Sequence, residues 1–496
     1  MIATLLCLVA TVAGSPRWLR VAQREHYLAG SVTWTDQLWL SRSRPSALMV
    51  VPTLAAFVLG ILSSSWWFVA AAALAQLTPV GLPYRGRTSP LAWTPRVRRL
   101  GVVVGVFVLV LGVWGPPFAA LTSLLLPTLV DGALYAVTPL EKRLAKPFLV
   151  QAQQKFARVR PTVVAVTGSY GKTTTKNYLA HLLSATHTVL ASPASFNNAM
   201  GLSRAVNEGL VPGTEVFVAE MGTYGVGEIR SLCEVFPPDV SVLTAIGEVH
   251  LQRMGDRDGV LKAKREITEK ARAVVLNVDD DKLAGLADEL PGKQVVRCSI
   301  RNTTADVAIV DGRLWVRGAD LGPVTLPESV HPSNAACAVG AAVALGDDPQ
   351  PLARRLATLP TVAHRLEPLE QPGGSWILDD TYNSNPAGAA EAVRRAVALA
   401  QRSGGRVHVV TPGMVELGNV QRVRNAELGS AVKDAMVSSL VVVGTTNRAA
   451  LIQGAAGGTT DVLCARTRPE AVALVEKRKA PGDVVLFEND LPDHYP

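Results

Sequence analysis

Cysteine is scarce and scattered: Cys7, Cys233, Cys298, Cys337 and Cys464 are the five present, and no two stand at C-x-x-C spacing. That spread argues against a zinc site and suits a reducing compartment. Aromatic residues make up only 5 % of the chain, and nowhere do they interleave with a basic patch, so the net charge of +8 does not read as nucleic-acid binding. There is no internal repeat and no low-complexity stretch. Charge is missing most conspicuously from apolar runs at approximately 2–14, 47–62, 66–81, 100–114 and 118–137. With almost no ionisable residue at mid-depth, these runs offer no polar path, which weighs against a membrane transport or gating ATPase.

What is present begins with the surroundings of those runs. The chain has 496 residues, enough for about three domains, and is 48 % apolar. Arg17, Arg20, Arg24, Arg42 and Arg44 lie between the first and second runs, and Arg85, Arg87, Arg96, Arg98 and Arg99 between the third and fourth. Lys142, Arg143 and Lys146 follow the last run, whereas the turns Ser63-Ser64-Ser65 and Gly115-Pro116-Pro117 carry no charge. Basic loops face the cytoplasm. The expectation is a multi-pass helical domain over 1–140 in the plasma (inner) membrane, with four or five spans, a linker over 141–160, and everything from Glu141 onward cytoplasmic. Run 2–14 reads as a span, an interfacial helix or a signal peptide, although no basic n-region precedes it. The alternative is that the runs are core helices of a soluble domain.

From residue 161 the pattern changes to short β-rich runs alternating with helical stretches. Strands are expected at 163–166, 216–219, 240–244 and 274–276, and again at 376–378, 407–410, 440–443 and 484–487. Continuous apolar strands separated by helices imply parallel sheets covered on both faces. The expected fold class is thus an α-helical membrane domain followed by α/β: a P-loop central domain with a parallel sheet over 161–362, and a Rossmann-like C-terminal domain over 363–496.

The most specific stretch is Thr167-Gly168-Ser169-Tyr170-Gly171-Lys172-Thr173-Thr174-Thr175-Lys176, directly after the first of these strands. A strand, a glycine turn and a helix opening on Lys and Thr hold polyphosphate, because backbone N–H groups point at anionic oxygens. Gly168, Ser169, Gly171, Lys172, Thr173 and Thr174 are the nucleotide-binding candidates, with Lys172 on the β- and γ-phosphates of ATP and the Thr173 hydroxyl on Mg²⁺. The loop departs from the common G-x-x-x-x-G-K-[ST] form, since Val166 holds the first glycine position. Downstream, Asn197-Asn198 sits in a polar loop, and Glu220 and His250 each follow a strand, at the rim where open α/β sheets bind ligands.

The ordered set Thr167–Lys176, Asn197-Asn198, Glu220-Met221-Gly222, His250-Leu251, Ala263-Lys264-Arg265-Glu266-Ile267 and Asn277-Val278-Asp279-Asp280 resembles the Mur ligases, and within them the MurF type that adds D-Ala-D-Ala to a peptidoglycan stem peptide. The C-terminal part agrees, through His364-Arg365-Leu366-Glu367, Asp379-Asp380-Thr381-Tyr382-Asn383-Ser384-Asn385-Pro386 and Gly413-Met414-Val415-Glu416-Leu417-Gly418. The resemblance covers roughly 160–490. It implies an ATP-dependent carboxylate–amine ligase that works through an acyl phosphate in cell-wall synthesis. Its substrate would be a peptide or amino acid, with a lipid-linked cell-wall precursor among the candidates. By the same resemblance Lys172, His250 and Lys264 are catalytic, and Thr173, Glu220 and His250 hold Mg²⁺. Lys264 matches a lysine that relatives carbamylate to N6-carboxylysine. Asn277, Asn334, Arg365 and Asp380 would contact nucleotide, and Asn197, Asn198, Asn383 and Asn385 would form substrate loops. A poly-γ-glutamate synthetase-like ligase is the alternative.

Several of these residues also allow plainer roles. Glu220 could cap a helix, His250 could be a hydrogen-bonded core histidine, and Lys264 could pair with Glu266 or Glu220. Asn383 and Asn385 could shape the turn before Pro386, and Asn334 could cap a helix. Three departures from the family pattern concern the substrate. Membrane helices stand in place of the UDP-sugar domain, and Thr411-Pro412-Gly413-Met414 lacks the acidic residue of L-G-D-M. The K-G-S-R motif is replaced by a stretch bearing Glu488, Asp490 and Asp493, a reversal of charge that favours an amine over a carboxylate.

Overall fold

A computed structural model describes every residue except 85, 87–89, 362–365, 382–383, 492–493 and 496, together with all side chains of the described residues but that of Glu367. The N-terminal part folds as α1 (Ile2–Arg24), α2 (Ser31–Arg42), α3 (Arg44–Leu62), α4 (Trp66–Leu77), α5 (Pro95–Gly112), α6 (Pro116–Leu124) and α7 (Leu126–Val159). Among the described residues α1 and α3 are long and apolar enough to cross a membrane, and α6 with α7, bent by 80°, would count as a third if taken as one broken span. This is fewer than the four or five spans expected. The 12 residues of α4 reach about 18 Å at 1.5 Å per residue, well short of a hydrocarbon core. The run at 118–137 is interrupted at Leu125, and α5 spends its first turn on Arg96, Arg98 and Arg99.

The arginines after the first run are also placed differently from expectation. Arg17, Arg20 and Arg24 belong to α1 itself, and the first two are buried. Arg17 donates to the Thr78 carbonyl at 3.0 Å and Arg20 to the Pro83 carbonyl at 3.1 Å. They satisfy orphan carbonyls of the segment after α4 rather than facing solvent as free charges. A large apolar surface remains uncovered on these helices, including Val51, Leu54, Val58 and Ile61 of α3 and Val102, Val106, Leu109 and Val110 of α5.

The expected linker is not a linker. Residues 141–159 are the second half of α7, whose Ala152, Phe156 and Val159 recur at helical spacing and pack into the middle unit's core. Phe156 stands edge-on to Phe236 at 5.5 Å, and Lys155 donates to the Asn207 carbonyl at 2.7 Å. One helix thus runs from the N-terminal core into the next unit.

That unit is a nine-stranded sheet of β1 (Thr162–Thr167), β2 (Val189–Ala191), β3 (Val216–Glu220), β4 (Val240–Leu243), β5 (Ala273–Asn277), β6 (Gln294–Ser299), β7 (Val307–Val310), β8 (Arg313–Val316) and β9 (Ala319–Pro323), in the order β2-β3-β1-β4-β5-β6-β7-β8-β9. Strands β1 to β7 pair in parallel, and β8 and β9 close the far edge antiparallel. Alternate residues of β1 point to opposite faces: Val164 and Val166 pack under α8 (Lys172–Leu183) and the helix Pro332–Leu345, whereas Val163 and Ala165 join Phe217 and Phe236 on the other side. Strand β1 lies between β3 and β4, where the chain order reverses and open sheets form their ligand crevice.

The second sheet contains β10 (Glu367–Glu370), β11 (Trp376–Asp380), β12 (Val407–Thr411), β13 (Ser439–Val443), β14 (Asp461–Ala465) and β15 (Val484–Glu488), in the order β10-β11-β15-β12-β13-β14. It is parallel apart from the edge strand β10. All eight expected strands are present; β2, β6 to β10 and β14 were not anticipated. Several of these have exposed or half-buried residues and so lack the continuous apolar run that announces a central strand.

Candidate active site

The turn between β1 and α8 depends on its two glycines. A Cβ at Gly168 would stand 1.9 Å from Thr244 Oγ1, and one at Gly171, where φ is +80°, would stand 2.4 Å from Asn334 Oδ1. The Ser169 amide donates to the Ala245 carbonyl at 2.8 Å, and the Gly247 amide donates to Ser169 Oγ at 2.9 Å, tying the turn to the chain after β4. Lys172 opens α8 and folds its ammonium back onto the Gly168 carbonyl at 2.8 Å. Thr174 is half-buried on the same first turn.

Glu220 ends β3 beside this turn. The Thr173 hydroxyl donates to Glu220 Oε2 at 2.8 Å, Lys176 Nζ lies 3.4 Å from the same oxygen, and Asn197 donates to Oε1 at 3.3 Å. Glu220 therefore faces the phosphate loop and does not cap a helix. Hydroxyl and carboxylate oxygens side by side suit a hard divalent cation, so Thr173 and Glu220 fit Mg²⁺. Burial pulls the Lys176 ammonium below its ordinary pKa, and the attraction of Glu220 opposes that shift.

Lys264, at the end of the helix Arg257–Lys264, is 2 % exposed. Burial, with the nearby Lys172 charge adding to it, holds its amine well below the ordinary lysine pKa. It does not pair with Glu266, whose carboxylate instead accepts from the Gly227 amide at 2.7 Å and the Arg230 amide at 3.0 Å. Nor does it appear among the partners of Glu220, which are Thr173, Lys176 and Asn197.

The asparagines divide into two groups. Asn197 faces Glu220, whereas Asn198 caps the helix Ala199–Gly209 through the Gly201 amide at 3.0 Å. Asn277 donates to the Thr244 carbonyl at 3.0 Å, next to the phosphate turn. Asn334 lies one turn inside its helix, which His331 caps, and its side chain stands against Gly171 and 3.4 Å from Thr175 Oγ1. Asn385 caps the helix Pro386–Ser403 through the Gly388 amide at 3.0 Å. Asp380 ends β11, buried, in register with Glu488 of β15. Arg365 and Asn383 lie outside the described residues.

His250 is not a core residue. It holds a left-handed backbone at φ +54°, and its Nδ1 lies 2.5 Å from Glu416 Oε2, across the junction of the two α/β units. Glu416 is left-handed too, at φ +63°. Burial raises its pKa, but the hydrogen bond and charge of His250, with Arg253 and His26, outweigh this and hold the carboxyl below its ordinary value. Among the described residues no group of three or more His, Cys, Asp or Glu side chains forms a metal cluster. Sequence reasoning did not single out Glu416, Thr244 or Lys176. Glu416 lies in the quoted Gly413–Gly418 motif, and Lys176 in the phosphate-loop motif, so motif membership was the available signal.

Comparison with known proteins matches residues 166–315 to the Mur ligase middle domain and residues 364–488 to the Mur ligase, glutamate ligase domain. UDP-N-acetylmuramoyl-tripeptide–D-alanyl-D-alanine ligase of Mycobacterium tuberculosis is 31 % identical over 375 residues, covering 66 % of this chain and 70 % of that protein. The crystal structure of MurF from Acinetobacter baumannii superposes with a TM-score of 0.60 at 25 % identity, over 69 % of this chain and 77 % of that one. MurF ligase from Thermotoga maritima in complex with ADP gives a TM-score of 0.57 at 26 % identity, over 70 % of this chain and 80 % of that one.

Proposed function

Because the chain belongs to the Mur ligase family of ATP-dependent amide-bond-forming enzymes, we propose that it is a MurF-like peptide ligase, held at the inner face of the plasma membrane by its N-terminal helices and acting in cell-wall peptide synthesis. The observation that carries this reading is the grouping of Thr173, Glu220 and Asn197 beside Lys172, at the C-terminal ends of β1 and β3. The anchor rests on the apolar faces of α1, α3 and α5.

In this reading the turn amides and Lys172 hold the phosphates of ATP, with Asn277, Asn334 and Asp380 disposed around the nucleotide. Arg365 and Asn383 are assigned the roles their family positions imply. Thr173 and Glu220 would hold Mg²⁺, with His250 serving a second ion, and the metal would neutralise phosphate charge. The γ-phosphoryl group passes to a substrate carboxylate; an amine then attacks the acyl carbon, phosphate leaves with the bonding pair, and the amine loses a proton. The chain's contribution is positioning and charge neutralisation. Burial favours the neutral form of the Lys264 amine, the form that attacks CO₂: an N–C bond would form, a proton would be released, and an amine beside Lys172 would become an anion that offsets its charge.

The test is full-length protein in detergent with ATP, Mg²⁺ and a cell-wall precursor pool, with products read by mass spectrometry. ADP should appear in step with amide product, and Lys172→Ala should abolish both. An unchanged product rate in Lys172→Ala would sink the proposal.

A further inference from the structure

The two stretches in which the C-terminal sequence departs from the family pattern meet in the structure. Thr411 ends β12 and Glu488 ends β15, which lies between β11 and β12. Glu488 is in register with Asp380 on one side, and on the other the Thr411 hydroxyl donates to its Oε2. The Ser384 hydroxyl, from the stretch after β11, donates to its Oε1. The Glu488 side chain is 0 % exposed. Asp490, the next acid along, is paired with Arg468 at 2.6 Å, and Asp493 lies outside the described residues. Neither Glu488 nor Asp490 is therefore a free carboxylate turned towards a substrate.

The bonds around Glu488 continue into both neighbouring loops. Thr411 Oγ1 accepts from the Gly413 amide at 2.9 Å, and the Asn489 side chain donates to the Gly413 carbonyl at 2.8 Å. The Asn489 backbone amide donates to the Asp380 carbonyl at 3.1 Å. The following turn is held by Asn425, which accepts from the Met414 amide at 2.8 Å, and by Asn447, which donates to the Met414 carbonyl at 2.9 Å. Two residues further on, Glu416 meets His250. On the other arm Ser384 adjoins Asn385, the cap of the helix Pro386–Ser403. One enclosed side chain thus joins three strand ends to two motif stretches, in dry surroundings where leaving such a bond unmade is costly. Among the described residues Asp380 is the charge that faces Glu488, and burial with that like charge favours the protonated carboxyl, for which a glutamine is the closest substitute.

We propose that Glu488 is a positioning residue for amide formation: it ties residues 411–416 to Ser384 and so holds Glu416 where it meets His250. The inference rests on the ligase reading and deepens it. The stretch in which this chain departs from its relatives braces the junction of the two α/β units and does not meet substrate charge.

The test uses full-length protein in detergent and two readouts. Amide hydrogen exchange over 413–416 needs no substrate; Ser384→Ala, which removes a group that does not itself touch that segment, and Thr411→Val should each speed it about tenfold. In the ATP-dependent amide assay both variants should lower kcat about tenfold with the KM for ATP unchanged. Glu488→Ala should do the same, and Glu488→Gln should recover most of the loss. If Glu488→Ala does not fold, the two hydroxyl variants decide the matter. A wild-type kcat in Ser384→Ala and Thr411→Val, or no recovery in Glu488→Gln, overturns the assignment. The two readings fail separately. If exchange quickens as described but the wild-type protein forms no ATP-dependent amide, only the ligase reading is wrong. If amide forms and the hydroxyl variants keep the wild-type kcat, only the role of Glu488 is wrong.

Discussion

His250 and Glu416 meet across the two α/β units, Nδ1 to Oε2 at 2.5 Å, each from a left-handed residue. Arg424 and Glu248 make a second, two-pronged bridge over the same junction at 2.5 and 2.7 Å. Glu416→Ala should cost about 1.5–3 kcal/mol of this docking. X-ray scattering should show a larger radius of gyration, and amide formation should fall tenfold or more with ATP binding kept. Because the Glu416 pKa is depressed from 4.5, the contribution is present above pH 4.5 and is lost as pH falls through the folded value. A radius unchanged in both Glu416→Ala and acid would refute this.

Gly171 should tolerate no side chain. In Gly171→Ala the new Cβ meets Asn334 Oδ1 at 2.4 Å, and a left-handed non-glycine residue costs about 1–2 kcal/mol. ATP binding by nucleotide titration should weaken at least tenfold, whereas Gly213→Ala, left-handed but in open space, should lose stability alone.

Lys264 should oppose stability while serving activity. Its folded pKa lies below the unfolded 10.5, so the unfolded state binds more protons between those values and stability rises with pH across that window. Lys264→Met should therefore raise the melting temperature, most at the lower-pH end of the window, while amide formation is lost. Incubation with ¹³C-bicarbonate should give a carbamate carbon resonance in the native protein and none in Lys264→Met.

Glu488 carries the opposite sign. Fully enclosed, its carboxylate accepts from the Ser384 and Thr411 hydroxyls, and burial pushes its carboxyl up to about 7. A raised folded pKa gives stability that is fully present below the unfolded 4.5 and is lost as pH rises through about 7. Glu488→Gln should be close to neutral at pH 5 and stabilising by on the order of 1–3 kcal/mol at pH 9, read by denaturant unfolding at both pH values. Equal shifts at the two would contradict the assignment.

The phosphate loop and the carboxylate beside it were legible because they are local: a glycine turn between a buried strand and a helix has one geometry, and Glu220 is the last residue of its strand. Asn198 and Asn385 were legible only as members of motifs. Whether an asparagine side chain caps its own helix or faces a neighbour depends on what packs beside it, and here both cap. The spans were over-read because hydropathy counts apolar residues without seeing where helices stop. Arg17 and Arg20 were read as charges of a cytoplasmic loop, and their burial was not foreseen because the carbonyls they satisfy belong to residues some sixty positions away, Thr78 and Pro83.

By itself the sequence determined the alternation of buried strands and helices, the phosphate cradle and the order of motifs that places the chain among Mur ligases, since each follows from neighbours along the backbone. Only the tertiary structure decided that α7 is a continuous strut and not a tether, that His250 reaches Glu416, and that Glu25 bonds to Arg253 and His494. Those contacts join residues up to 469 positions apart, and no periodicity or spacing encodes a pairing that arises only when three separately folded surfaces close on one another.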